Sequence, residues 1–179
     1  MIAGDQIVKD MSRGAESYLQ MWERAKGVPE PRCRSTHARF SGRGLGRVHL
    51  EDRPKQLLMR AGQPQRRRDR VWNYCVLGRG NTEARQVPIF TPGGSVGLIT
   101  TTARGQRAFG VSRGMPVGSI PERANRVGGG FFTASIGGGD AEIVYRVGGG
   151  RVTSISVATD AVAASAKRLK RYLKLAGVG

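Results

Sequence analysis

The chain has 179 residues, 39% apolar and 6% aromatic, with a formal charge of +17 from 30 Lys+Arg against 13 Asp+Glu. That size suits one domain or two very small ones, the apolar content supports a modest core and argues against wholesale disorder, and no apolar run approaches the roughly 18 residues that span a bilayer. The charge is even, +9 over residues 1–90 and +8 over 91–179, and 24 of the basic residues are Arg, so it is a weak signal for nucleic acid.

In chain order, Ile7, Val8, Met11, Ala15, Tyr18, Leu19 and Trp22 recur at spacings of three and four and predict a helix over 5–26, stopped by Gly27, Pro29 and Pro31. Residues 28–45 read as a Pro/Gly/Arg-rich linker. Glu51-Asp52-Arg53-Pro54 starts a short helix with Leu57, Leu58 and Ala61 on its buried side, ended by Gly62 and Pro64. After the basic turn QRRRDR come three β-like runs, 70–77, 83–90 and 95–102, the last two joined by the hairpin signal Pro92-Gly93-Gly94. Pro88 places the middle run at an edge or on a bulge. A short helical stretch is expected around 117–127, then β-like runs at 131–136, 141–147 and 151–159, separated by glycine triplets. A basic helix capped by Asp160, with Val162, Ala166, Leu169 and Leu173 as its stripe, closes the chain.

The fold expected is therefore α+β: two tandem repeats of a short helix plus a three-stranded antiparallel meander, at 46–109 and 110–159, flanked by amino- and carboxy-terminal helices at 1–27 and 160–179. The units begin about 64 residues apart, near Gly46 and Gly110. The amino-terminal helix reads as the tail of an upstream domain.

Cys33 and Cys75, 42 positions apart, leave two options, one disulfide or two unrelated thiols; no paired Cys/His spacing suits structural zinc. A disulfide would need an oxidising compartment and would add roughly 3–4 kcal/mol of stability. The opening MIAGDQIVKDMSRG is no signal peptide, so export implies that this chain is the carboxy-terminal part of something longer or starts further upstream.

The unit GRVHLEDRPKQLLMRAGQP (46–64), with WNYCV (72–76), VPIFTPGGSVGLITTTARG (87–105), GVSRGMPVGSI (110–120) and RLKRYLKLAG (168–177), resembles a family of uncharacterised exported proteins common in actinobacteria. At fold level the duplicated pattern is similar to the β-lactamase inhibitory protein and to small outer-membrane assembly lipoproteins. The resemblance implies that Cys33 and Cys75 pair, and that the chain binds another protein rather than catalysing a reaction. Glu51 departs from it, standing where that family usually has glycine, and Pro121 interrupts the second unit's helix.

Candidate chemistry is sparse. Gly93-Gly94-Ser95-Val96-Gly97 matches G-x-S-x-G, but strand follows the serine where a nucleophile elbow needs helix. Gly42-Arg43-Gly44-Leu45-Gly46 lacks the context of a phosphate loop and reads as linker. Cys33 and His37, with His49 nearby, offer neither two further zinc ligands nor an oriented catalytic pair. Asp52, Asp69, Asp140 and Asp160 suit caps and turns. The one dense cationic cluster, Arg66, Arg67, Arg68 and Arg70, is the candidate anion-binding patch, together with Arg43, Arg47 and the 167–174 helix. A solvated turn and helix face is its simpler explanation. No catalytic residue, metal site or cofactor is expected. The favoured function is a non-enzymatic exported or cell-envelope module that binds a protein or an anionic envelope polymer. The alternatives are a cytoplasmic nucleic-acid binder using Arg66–Arg70 and a hydrolase fragment using Ser95 or Cys33.

Overall fold

The structure, a computed structural model, describes residues 18–77, 84–138 and 140–178. Residues 5–17 of the expected first helix lie outside these; residues 18–26 are helical and form α1. Two sheets follow. The small one has three two-residue strands, β1 (Phe40–Ser41), β2 (Gly44–Leu45) and β3 (Val48–His49). After helix α2 (Pro54–Ala61), the large sheet takes β4 (Arg66–Arg68), β5 (Val71–Cys75), β6 (Arg85–Phe90), β7 (Val96–Thr101), β8 (Asn125–Gly128), β9 (Phe131–Ser135), β10 (Ala141–Gly148) and β11 (Arg151–Thr159). Its eight strands are antiparallel in the order β4-β5-β6-β7-β11-β10-β9-β8. The middle seam is β7 against β11, from Ile155 opposite Thr101 to Ala158 opposite Leu98.

This mostly β architecture corrects the expected α+β layout of two helix-plus-three-strand repeats. Only α2 precedes a meander as a full helix. The stretch at 117–127 holds one 3-10 turn, Val117–Ser119, and then strand β8. Pro116 and Pro121 leave too few backbone donors for a longer helix, while Phe131 and Phe132 give the neighbouring 125–128 segment a strand to pair with. The basic turn at 66–68 is likewise a strand, β4, paired with Val71–Asn73. Pro88 lies on a central strand, with the irregularity between Ile89 and Phe90 rather than at a sheet edge. The closing helix is two: α3 (Asp160–Ala163) and α4 (Ala166–Leu175), where Ser165 is the cap and its hydroxyl accepts from the Arg168 amide.

Both faces of the large sheet are covered. On one, Leu57 and Leu58 of α2, Leu45 and Val48 of the small sheet, and Leu19 and Trp22 of α1 meet Trp72, Tyr74, Ile99, Ile143 and Ile155. On the other, Val162 of α3 and Leu169, Tyr172 and Leu173 of α4 pack on Val71, Val87, Ile89, Leu98 and Val144. Each of the fully buried leucines, Leu45, Leu57, Leu58, Leu98, Leu169 and Leu173, contributes roughly 2 kcal/mol through removal of apolar surface from water. Gly97 lets α3 and α4 approach β7: a Cβ there would meet the Thr91 methyl at 2.6 Å and Val162 at 3.1 Å.

Glu51 has φ of 64°, a left-handed conformation that glycine adopts freely and L side chains resist. The loop is held there because the Glu51 amide donates to the Val96 carbonyl at 2.7 Å and the Val96 amide donates to the Asp52 carbonyl at 3.0 Å. Glu51→Gly is therefore expected to stabilise the protein by about 1 kcal/mol, read as a higher urea midpoint. An unchanged or lower midpoint contradicts this assignment.

Candidate functional site

Cys33 and Cys75 form a disulfide with Cα atoms 4.6 Å apart. It ties the segment after α1 to the end of β5, where a short parallel bridge adjoins it: the Arg34 amide donates to the Cys75 carbonyl at 2.6 Å and the Leu77 amide to the Arg34 carbonyl at 2.9 Å. Cys33 is thereby unavailable as a thiol nucleophile. The Arg34 guanidinium donates to the Ala61 carbonyl and lies 4.4 Å from the Tyr74 ring centre. Burial lowers the pKa of Arg34, an effect the Tyr74 hydroxyl opposes. Tyr74 itself donates to the Gly62 carbonyl at 3.0 Å, and burial pushes its pKa well up.

All four arginines of the cluster line one groove, but the side chains of β4 divide between two faces of the sheet. Side chains alternate across a strand, so β4 sends Arg67 to one face and Arg66 and Arg68 to the other. Arg67 sits opposite Trp72, 4.8 Å from its ring centre, and pairs with Glu23 of α1; only 15% of the Arg67 side chain and 4% of the Glu23 side chain are exposed. Arg66 and Arg68, opposite Asn73 and Val71, turn toward α4. Together with Arg171 and Lys174 of that helix, and with Arg85, they line a groove of about 1440 Å³. Arg70 lies 6.0 Å from the Tyr172 ring centre, and Arg85 donates to the Gly177 carbonyl at 3.4 Å.

Arg66, Arg68, Arg171 and Lys174 are exposed and their side chains have no ion-pair or hydrogen-bond partner among the described residues. Among the described residues the one acidic residue lining the groove is Asp69, held at φ of 45° in the β4–β5 turn. Val71, Asn73, Leu175 and Ala176 also line the groove. Asn73 Oδ1 is shielded from solvent and has no hydrogen-bond partner. Like charges held together without counter-charges repel, and an anion placed between them relieves that repulsion. Arg85 was not part of the cluster legible in the sequence; it is 15 residues beyond Arg70 and joins only because β6 runs beside β5.

The remaining candidates are dispersed. Arg43 and Arg47 occupy the turns of the small sheet and do not line the groove. Ser95 is in the turn before β7, its Oγ 3.4 Å from Thr91 Oγ1, and strand follows it. His37 is exposed, its backbone amide donating to the Ser35 hydroxyl. Burial and then the Arg60 charge lower the pKa of His49. Asp52 is buried against Arg60 at 3.1 Å, Asp160 opens α3, and the Asp140 carbonyl accepts the Asp160 amide. Among the described residues no group of three or more His, Cys, Asp or Glu is placed to hold a metal ion, and no helix is long and apolar enough to cross a membrane.

No protein-family model matches the chain, and no curated protein sequence matches it. A solved cysteine-rich secretory protein from Staphylococcus aureus is similar at 14% identity with a TM-score of 0.44, over 78% of this chain and 54% of that one. The chain thus spans about half the length of that neighbour.

Proposed function

We propose that the protein is a non-enzymatic exported or cell-envelope module that binds an anionic polymer in the groove between β4 and α4. The observation that carries this reading is the convergence of Arg66, Arg68, Arg171 and Lys174, unpaired, from two elements onto one concave surface. A groove lined by several cations from two elements suits a chain of charges. The Cys33–Cys75 disulfide supports the compartment, since such bonds persist where thiols are oxidised. The resemblance to exported proteins points the same way. Arginine keeps its charge at any physiological pH, so binding of this kind is expected to follow ionic strength far more than pH.

The test uses fluorescent dextran sulfate as a generic polyanion and the oxidised protein. Replacing Arg66, Arg68, Arg171 and Lys174 together by Ser is expected to weaken binding about ten- to a hundredfold at low salt, with each exposed charge contributing up to about 1 kcal/mol. Replacing the exposed Arg39, Arg43, Arg47 and Arg107 removes the same charge elsewhere and is expected to cost less than threefold, on the order of 0.6 kcal/mol. Equal losses from the two variants would show that net charge, not the groove, does the binding.

A further inference from the structure

We propose that the Cys33–Cys75 disulfide is an exchange site for small anionic thiols, which approach through the groove and become joined to Cys75. Strand alternation puts the Cys75 side chain on the groove side of β5. Val71, Asn73 and Cys75 line the groove, while Trp72 and Tyr74 between them sit in the core on the opposite face of the sheet. Both cysteines keep part of their surface in solvent.

The surroundings of that sulfur are cationic. Cys75 lies directly opposite Arg85 of β6, and such cross-strand partners share a face with Cβ atoms roughly 5 Å apart. Arg66, Arg68, Arg171 and Lys174 line the same groove. Thiol–disulfide exchange spreads one negative charge over the attacking, central and leaving sulfurs, so cations beside the central sulfur favour it. A thiolate that also carries a carboxylate or a phosphate gains twice. The cations draw it in, and they hold its acid group once it is joined. A thiol bearing an ammonium group is repelled by the same side chains.

The incoming thiolate attacks Cys75 Sγ as the Cys33–Cys75 bond breaks. Cys33 leaves as a thiolate and takes a proton from water, and Cys75 carries the mixed disulfide. A second thiolate attacking the ligand's sulfur releases Cys75 and forms the small-molecule disulfide. Two thiols are thereby oxidised as the protein bond is reduced. Cys33 is the leaving sulfur because a nucleophile in the groove meets Cys75 first.

The test treats the oxidised full chain with mercaptosuccinate, 2-mercaptoethanol or cysteamine, quenches in acid at early times and reads the adducts by peptide mass spectrometry. Each rate is taken relative to the same thiol's rate on an uncharged small disulfide, which removes intrinsic nucleophilicity. At low salt mercaptosuccinate is expected to react about tenfold faster than cysteamine, with 2-mercaptoethanol between them and the first adduct on Cys75. Sodium chloride at about 1 M, where the screening length is about 3 Å, is expected to bring the three together. Arg85→Gln is expected to narrow the low-salt gap several-fold, and serine at Arg39, Arg43, Arg47 and Arg107 to leave it in place. Equal relative rates for the three thiols, a first adduct on Cys33, or equal narrowing by the two variants overturns the proposal. Loss of dextran sulfate binding with the thiol preference intact overturns the polymer reading alone, and the reverse overturns the exchange site alone.

Discussion

Replacing Cys33 and Cys75 together by serine lowers the stability of this protein by about 4 kcal/mol on the loop-closure argument for a 42-residue separation. The bond closes a loop running from the α1–β1 segment through the small sheet and α2 to β5. Those parts pack on one face of the large sheet, and freeing them in the unfolded chain restores most of their lost entropy. In the native state the Arg34–Val76 bridge, the Arg34 guanidinium and the Gln106 side chain, which donates to the Ser35 carbonyl at 2.9 Å, would then hold the segment at this end. Urea unfolding of the oxidised protein and the double serine variant, each followed by circular dichroism, measures the difference. A loss below about 1 kcal/mol would mean that packing alone fixes this segment.

Glu23→Ala has an effect of similar size and a different cause. Arg67 and Glu23 are both nearly buried, and Trp72 covers the guanidinium, so removing the carboxylate leaves a charge without a counter-charge and with little water. Breaking such a pair typically costs about 3–5 kcal/mol. Changing both residues, Glu23→Ala with Arg67→Met, is expected to recover most of that loss, because an apolar side chain of similar length suits the space beside Trp72. The same unfolding measurement serves: equal instability of the single and double variants would show that packing of the arginine stem, not its charge, was lost.

These two results bear on what could be read in the residues. The strands at 71–75, 85–90, 96–101, 131–135, 141–148 and 151–159 announce themselves through β-branched and aromatic runs between glycine turns. So does α2, whose proline and glycine bracket a short stripe. β4 gives no such signal, because three successive arginines have no apolar face. It is a strand only because Val71–Asn73 offers a partner and Arg67 finds Glu23 across 44 positions. Two Phe residues decide that 125–128 is strand, and they come after it in the chain. These two short strands lengthen each expected three-stranded meander to four at the outer edges of the sheet, and the two meanders join into one sheet through β7 and β11.

The cationic cluster was legible as a run and not as a site. Strand alternation divides it: Arg67 becomes a buried structural charge, while Arg66 and Arg68 face a helix about a hundred residues later. Nothing local in QRRRDR reveals which arginine goes where. The disulfide was the reverse case, because the resemblance to exported proteins pointed to the pair and the fold brings the two Cα atoms to 4.6 Å.

With +17 on the chain, some attraction to any polyanion is assured, so location is the decisive quantity. The most direct measurement is an amide chemical-shift map of the oxidised, isotope-labelled protein titrated with dextran sulfate. Shifts concentrated at Arg66–Asn73, at Arg85 and at Arg171–Ala176 are the predicted result. Shifts spread over the arginines of the small sheet and the β8 edge, with the groove no different from them, would contradict it.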